Sequence, residues 1–195
     1  KVFNIQRLGA IVSKGLTSEP RRGNPTPRIA ETPAGMLNSI GFQNIGLRRL
    51  VNDVCPVWAT WDVPVIVNIM GDTIEEFSIL AHELDGVPGV SGIEVNISCP
   101  NLDVGGMEFG QDPETASRVT EAVVQSTTLP VIVKLTPNVS QIAPIAYAVE
   151  KAGAHAICVA NSFLGAAIDT RTRRTRTQRP TAGLTGPAIR PLALR

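Results

Sequence analysis

Val95-Asn96-Ile97-Ser98-Cys99-Pro100-Asn101 is the stretch on which the fold turns. A β-branched run ends abruptly in an asparagine, a serine, a cysteine and a second asparagine. The apolar residues suit a buried strand, and the polar ones suit its end. That is how an α/β enzyme presents chemistry at the carboxyl ends of parallel strands. The cysteine draws attention to the same place, because a thiol is one of the few side chains able to move a proton near neutral pH. A lone Cys-Pro beside a turn is more often structural. Two flanking asparagines, with similar strand ends elsewhere, reverse that preference.

Residues 92–98 contain this stretch, and four further runs resemble it: 8–13, 64–70, 130–135 and 156–160. Each is short, rich in Val and Ile, and apolar on both faces, as parallel strands covered by helices should be. Helical patterns lie between them at 72–84, 113–127 and 140–152. The first opens on Asp72, an expected cap, with Glu75 and Glu76 in its first turn. The second starts with Pro113 after Asp112, and the third ends at Gly153. The alternation predicts a parallel sheet with right-handed crossovers, and hence an α/β fold of (β/α)8 TIM-barrel type.

A closed barrel of this type takes about 250 residues, and this chain has 195. The first strand begins almost at residue 1, and Thr185-Gly186-Pro187-Ala188-Ile189-Arg190-Pro191 looks like a helix just starting. A single barrel domain over 1–195 is therefore expected. It is expected to be incomplete at both ends, lacking at least one strand before Lys1 and two or more βα units after Arg195.

Composition narrows the function. The chain is 43% hydrophobic and 18% charged, with a net charge of +1, which describes a globular protein without a strong electrostatic pull toward nucleic acid or membrane. No apolar run approaches the roughly 20 residues that span a bilayer. Cys55, Cys99 and Cys158 are odd in number and far apart, which fits a reducing cytoplasm better than a disulfide framework. No Cys-x-x-Cys pair occurs, so a cysteine-ligated iron–sulfur cluster is not expected in this chain. His82 and His155 lack metal-ligand spacing and are read as structural, so no metal site is expected. Two long stretches break the pattern. Residues 15–44 are too long for an ordinary βα connection and are expected to be functional. Residues 161–180 hold Arg171, Arg173, Arg174, Arg176 and Arg179, expected on a solvated loop or short hairpin.

Each strand-like run ends in a polar group: Ser13-Lys14-Gly15, Asn68, then Asn96-Ile97-Ser98-Cys99, then Lys134-Leu135-Thr136, then Asn161-Ser162. In a barrel these ends converge on one face. Asparagines both donate and accept, so they suit a planar heterocycle with carbonyl and N–H groups. Lys14 and Lys134 suit an anionic or electron-rich ligand. The cysteine could act as proton acceptor, proton donor or nucleophile. No Ser-His-Asp set, paired-carboxylate motif or Walker loop is present.

The chain resembles the catalytic subunit of class 1 dihydroorotate dehydrogenases, most closely the NAD-linked class 1B. The matching motifs are Lys14-Gly15-Leu16-Thr17, Gly23-Asn24-Pro25, Asn38-Ser39-Ile40-Gly41-Phe42-Gln43-Asn44, Asn96-Ile97-Ser98-Cys99-Pro100-Asn101, Val133-Lys134-Leu135-Thr136-Pro137-Asn138 and Gly183-Leu184-Thr185-Gly186-Pro187. They run in family order along essentially the whole chain. The resemblance implies an FMN-binding barrel that oxidises dihydroorotate to orotate in pyrimidine biosynthesis. Cys99 is implied as the base that takes the C5 proton, with hydride passing from C6 to flavin N5. Lys14, Asn38, Ser39, Ile40, Gly41, Phe42, Asn96, Asn161 and Ser162 are implied at the substrate. Lys14, Gly15, Asn68, Asn96, Lys134, Ala160 and Gly186 are implied at FMN. The resemblance also implies a partner subunit carrying FAD and a [2Fe-2S] cluster, with a homodimer of catalytic subunits at the core of a cytoplasmic heterotetramer.

Some positions depart from the family pattern. Ser162 stands where Thr is expected, Ala182 replaces the first Gly of Gly-Gly-Leu-Ser-Gly, and Thr185 replaces its Ser. Three rival readings remain at this point. They are a pyrimidine-reducing flavin barrel like that of dihydropyrimidine dehydrogenase, a tRNA dihydrouridine synthase, and a non-catalytic truncated barrel. The synthase is disfavoured by the absence of a broad basic surface.

Overall fold

In a computed structural model of the chain, residues 3–98, 100, 101 and 107–195 are described. At the centre lie β1 (Ile11–Val12), β4 (Val65–Ile69), β5 (Gly92–Asn96), β8 (Val131–Lys134) and β9 (Ala156–Cys158), in that spatial order and all parallel. Each falls inside a run expected from its Val and Ile content, with trimmed ends. In the first run only Ile11 and Val12 join the ladder. In the third, Ile97 and Ser98 belong to the turn after the strand.

Three helices connect these strands: α3 (Ile74–Leu84), α4 (Pro113–Ser126) and α5 (Ala143–Lys151). Their buried faces follow helical spacing: Phe77, Leu80, Ala81 and Leu84 on α3, Ala116, Val119, Thr120 and Val123 on α4, and Ile145 and Val149 on α5. They pack on Val67, Ile69, Ile93, Val95, Val131 and Val133 of the sheet in one continuous core. Phe77 and Phe109 meet edge to face there, with centroids 5.4 Å apart at 88°. Helices alternating with parallel strands in this way are part of an α/β barrel. Among the described residues, β1 and β9 are the sheet's edges.

Two helix starts differ from the sequence expectation. Thr73, not Asp72, caps α3: its hydroxyl accepts the Glu76 N–H at 3.2 Å. Asp72 is instead held by Arg21 at 2.6 Å. The third helix begins at Ala143 rather than Ser140, after residues with no side-chain cap. Asp112 caps α4 as expected, accepting both the N–H and the hydroxyl of Thr115 at 2.8 Å.

The two long stretches contribute short strands. β2 (Ile29–Thr32) and β3 (Gly35–Asn38) come from the first, β10 (Phe163–Gly165) from the second, and β13 (Ala182–Thr185) follows. They form an antiparallel sheet in the order β10-β13-β3-β2 around Ala30, Leu37 and Ala182. The arginine run rides on a hairpin of β11 (Ile168–Asp169) and β12 (Arg174–Thr175), as the short-hairpin expectation had it. Smaller elements complete the fold. β6 (Pro100–Asn101) pairs with β7 (Met107–Glu108). A helical segment runs from α1 (Leu47–Arg49) through a π-turn at Leu50–Val54 to α2 (Cys55–Trp58), and α6 is Arg190–Leu194. Among the described residues no helix is long and apolar enough to cross a membrane.

Candidate functional site

Parallel strands point their carboxyl ends the same way, so the polar residues that follow each run are delivered to one place. There they line a cavity of about 610 Å³, within the size range of small-molecule and cofactor sites. β1 leads into Lys14 and Gly15, β4 contributes Asn68, β5 contributes Asn96, β8 contributes Lys134, and the segment after β9 contributes Ala160, Asn161 and Ser162. The opposite wall is Asn38, Ser39, Ile40, Gly41 and Phe42, the loop that leaves β3. All these sequence-predicted residues line one cavity.

Two predicted residues stand apart. Gly186 does not line the cavity. Its φ is +105°, and a Cβ there would come within 2.9 Å of Gly35 Cα, so it shapes the turn after β13 rather than the wall. Its neighbours Gly183, Thr185 and Ile189 line the cavity instead. Cys99 lies outside the described residues.

The walls are tied down by the motif residues themselves. Asn24 donates to Ser39 O at 3.0 Å, and its N–H donates to Ile40 O at 2.9 Å. That close approach leaves no room for a side chain at Gly41, where φ is +74° and a Cβ would stand 2.6 Å from Asn24 Cγ. Phe42 follows with φ +57°, an uncommon conformation for a non-glycine residue. Asn44 ties the loop to the first motif: its amide donates to Thr17 Oγ1 and Phe42 O, both at 2.9 Å.

At the floor, Asn161 Nδ2 donates to Asn96 Oδ1 at 3.0 Å, and the Ser98 N–H donates to the same oxygen at 3.2 Å. Asn161 Oδ1 in turn accepts the Ser162 N–H at 2.8 Å. With their oxygens engaged, the two amides are left with N–H donors to offer. Ser39 Oγ is buried without a hydrogen-bond partner among the described residues.

The sequence reading missed Glu94. It lies on β5 two residues before Asn96, hence on the same face, and is only 3% exposed. Its Oε1 accepts from Asn68 Nδ2 at 2.6 Å and from Lys134 Nζ at 3.4 Å. The period-two spacing to Asn96 was the available signal. Among the described residues Lys14 makes no such ion pair.

Two titratable groups nearby are displaced from their ordinary behaviour. Burial first, and then the charge of Glu94, push the Cys158 thiol up, with Lys134 acting the other way. Burial also pushes the Glu108 carboxyl up, against a hydrogen bond from Thr136. Of the two histidines, His155 Nδ1 accepts the Val131 N–H at 3.1 Å and is structural, as expected.

Fold and site together define a barrel protein with a polar ligand cleft at the carboxyl ends of its parallel strands. The chain belongs to the dihydroorotate dehydrogenase family, which it matches over residues 1–195. It is 54% identical over 192 residues to a protein of Desulforamulus reducens named dihydroorotate dehydrogenase B (NAD(+)), catalytic subunit, covering 98% of this chain and 63% of that one. Proteins of the same name from Geotalea daltonii and Desulforudis audaxviator are each 50% identical over 193 residues, covering 99% of this chain and 63% of theirs. The chain thus spans about 63% of the length of these relatives.

Proposed function

We propose that this chain supplies the catalytic cleft of an FMN-dependent dihydroorotate dehydrogenase of the NAD-linked type, which makes orotate for pyrimidine biosynthesis in the cytoplasm. The observation that carries this reading is the convergence of Lys14, Asn68, Asn96, Lys134 and Asn161 from five strand ends on one cavity, in a chain of this family.

The residues present fit a flavin. The family is flavin-dependent, and the donor set of amides and ammonium groups suits a ring edge of carbonyls and N–H groups. The unpartnered Ser39 hydroxyl leaves a polar group on the cavity wall for a ligand. Lys14, Gly15, Asn68, Asn96, Lys134 and Ala160 hold FMN in this reading, and Gly186 shapes the turn beside it. When bound, the flavin supplies the acceptor for the hydride that leaves C6 of dihydroorotate.

The chain's own residues do the rest. Asn96 and Asn161 fix each other's amides, so their N–H groups meet the carbonyl oxygens of a pyrimidine. Lys14, free of a carboxylate among the described residues, offers its charge to the substrate's carboxylate. Asn38, Ser39, Ile40, Gly41, Phe42 and Ser162 enclose the substrate and exclude water. Cys99, carried by the Ser98-Cys99-Pro100 motif, takes the C5 proton as a thiolate. Because the thiolate is the base, activity rises as pH is raised and the thiol gives up its proton.

The relatives' designation as catalytic subunits supports a second subunit. In this reading it carries FAD and [2Fe-2S] and passes electrons to NAD, joining a homodimer of this protein. The test compares the full-length protein with its Cys99→Ala variant, using dihydroorotate and dihydrouracil as alternative substrates. The expected result is turnover of dihydroorotate only, lost by roughly 100-fold or more in the variant while flavin is retained. Preference for dihydrouracil, or near-normal turnover in the variant, contradicts the reading.

A further inference from the structure

Adjacent strands bring Asn68, Glu94, Asn96 and Lys134 together at the cavity floor. Asn68 on β4 is the direct cross-strand partner of Glu94 on β5, and Lys134 on β8 is the partner of Cys158 on β9. Glu94 is the hub. One carboxylate oxygen accepts from both Asn68 and Lys134, at 2.6 and 3.4 Å. The Glu94 side chain is 5% exposed and that of Lys134 27%, so solvent screens this pair less than it would a surface pair. The negative charge also reaches Cys158, where after burial it is the next cause holding the thiol protonated. A carboxylate in a barrel interior is costly unless paired. The other residues of β5, Gly92, Ile93, Val95 and Asn96, carry no charge for it to offset.

We propose that Glu94 is a positioning and tuning residue for the flavin site: it orients the Asn68 amide and the Lys134 ammonium, and offsets the charge that Lys134 presents to the cavity. The inference rests on the FMN reading above. Two constraints act at once. With Nδ2 bound to Glu94, Asn68 is fixed so that its oxygen serves as the acceptor. With a carboxylate beside it, Lys134 presents less than a full positive charge. Hydride arriving at a flavin brings two electrons and one proton and leaves the ring with a net negative charge, which an uncompensated ammonium favours. Glu94 therefore holds the flavin's reduction potential below the value that Lys134 alone would set.

The test uses the full-length protein, its Glu94→Gln variant and its Glu94→Ala variant, with added FMN as the probe. Three quantities are read: flavin retained after gel filtration, the midpoint potential from anaerobic dye equilibration, and far-ultraviolet circular dichroism. Gln keeps the size and an acceptor oxygen for Asn68 but removes the charge. Glu94→Gln should retain FMN and raise its potential. A tenfold gain in affinity for the reduced over the oxidised flavin, the order expected when one nearby charge is removed, reads as about 30 mV for a two-electron couple. Glu94→Ala, which releases Asn68 and Lys134 together, should weaken FMN retention at least tenfold (about the loss of one hydrogen bond to a charged group). Should Glu94→Ala not fold, Glu94→Gln alone decides. An unchanged potential in Glu94→Gln overturns the proposal and leaves Glu94 a structural filler. Failure of the unsubstituted protein to retain FMN overturns the flavin reading itself, and this inference with it.

Discussion

At the scale of single residues, the site divides into groups that announce themselves and groups that do not. Asn68, Asn96, Lys134 and Asn161 were legible because each interrupts an apolar run near its end, where a buried strand otherwise has no use for an amide or an ammonium. Glu94 was not, because it stands in mid-strand between Ile93 and Val95, and nothing local says that its partners are Asn68 on one neighbour and Lys134 on the other. The cysteines show the reverse difficulty. Their chemistry is set by surroundings that the sequence hides. Burial pushes up both Cys55 and Cys158, and at Cys158 Glu94 adds to the effect. A raised thiol stays protonated to higher pH and reacts as a poor nucleophile. Iodoacetamide at pH 8, followed by peptide mass spectrometry, should therefore label both residues more slowly than free cysteine. Labelling of Cys158 at or above the free rate contradicts the environment described for it.

At the scale of elements, the helices and parallel strands were readable because their patterns are local. Helical periods of apolar residues marked α3 and α4, and Val-rich runs marked the five central strands. The antiparallel sheet was not readable, although the length of residues 15–44, which hold β2 and β3, marks that stretch as functional. Its strands are short and hold Gly, Ala, Glu and Thr, and its decisive pairing joins positions 145 apart, where Asn38 Nδ2 donates to Gly183 O at 3.4 Å. The start of α4 makes a testable case of local reading. The N–H of Thr115, and then its hydroxyl, lower the Asp112 carboxyl below its ordinary range. A carboxyl lowered by folding stabilises the native state above its unfolded value, and that contribution is lost as pH falls through the lowered one. Asp112→Ala should cost about 1 kcal/mol at neutral pH. The gap from the unsubstituted protein should narrow as pH drops below about 4 in urea titrations. A gap that persists unchanged into acid contradicts the capping role.

At the scale of the whole molecule, one arrangement does two jobs. The core of Phe77, Phe109, Val95 and Val133 holds helices against the sheet, and the same strands carry polar residues into the cleft a few ångströms further along. The antiparallel sheet brings the Asn38-to-Phe42 loop over that cleft from a part of the chain far away in sequence. The central claim is that this cleft binds a flavin and dihydroorotate together, and its most direct test is anaerobic. The full-length protein, loaded with FMN, is mixed with dihydroorotate, and the visible flavin band is followed through a single turnover. The account predicts rapid bleaching of the band, with orotate formed in equal amount. A bound flavin whose band persists in the presence of dihydroorotate would contradict it.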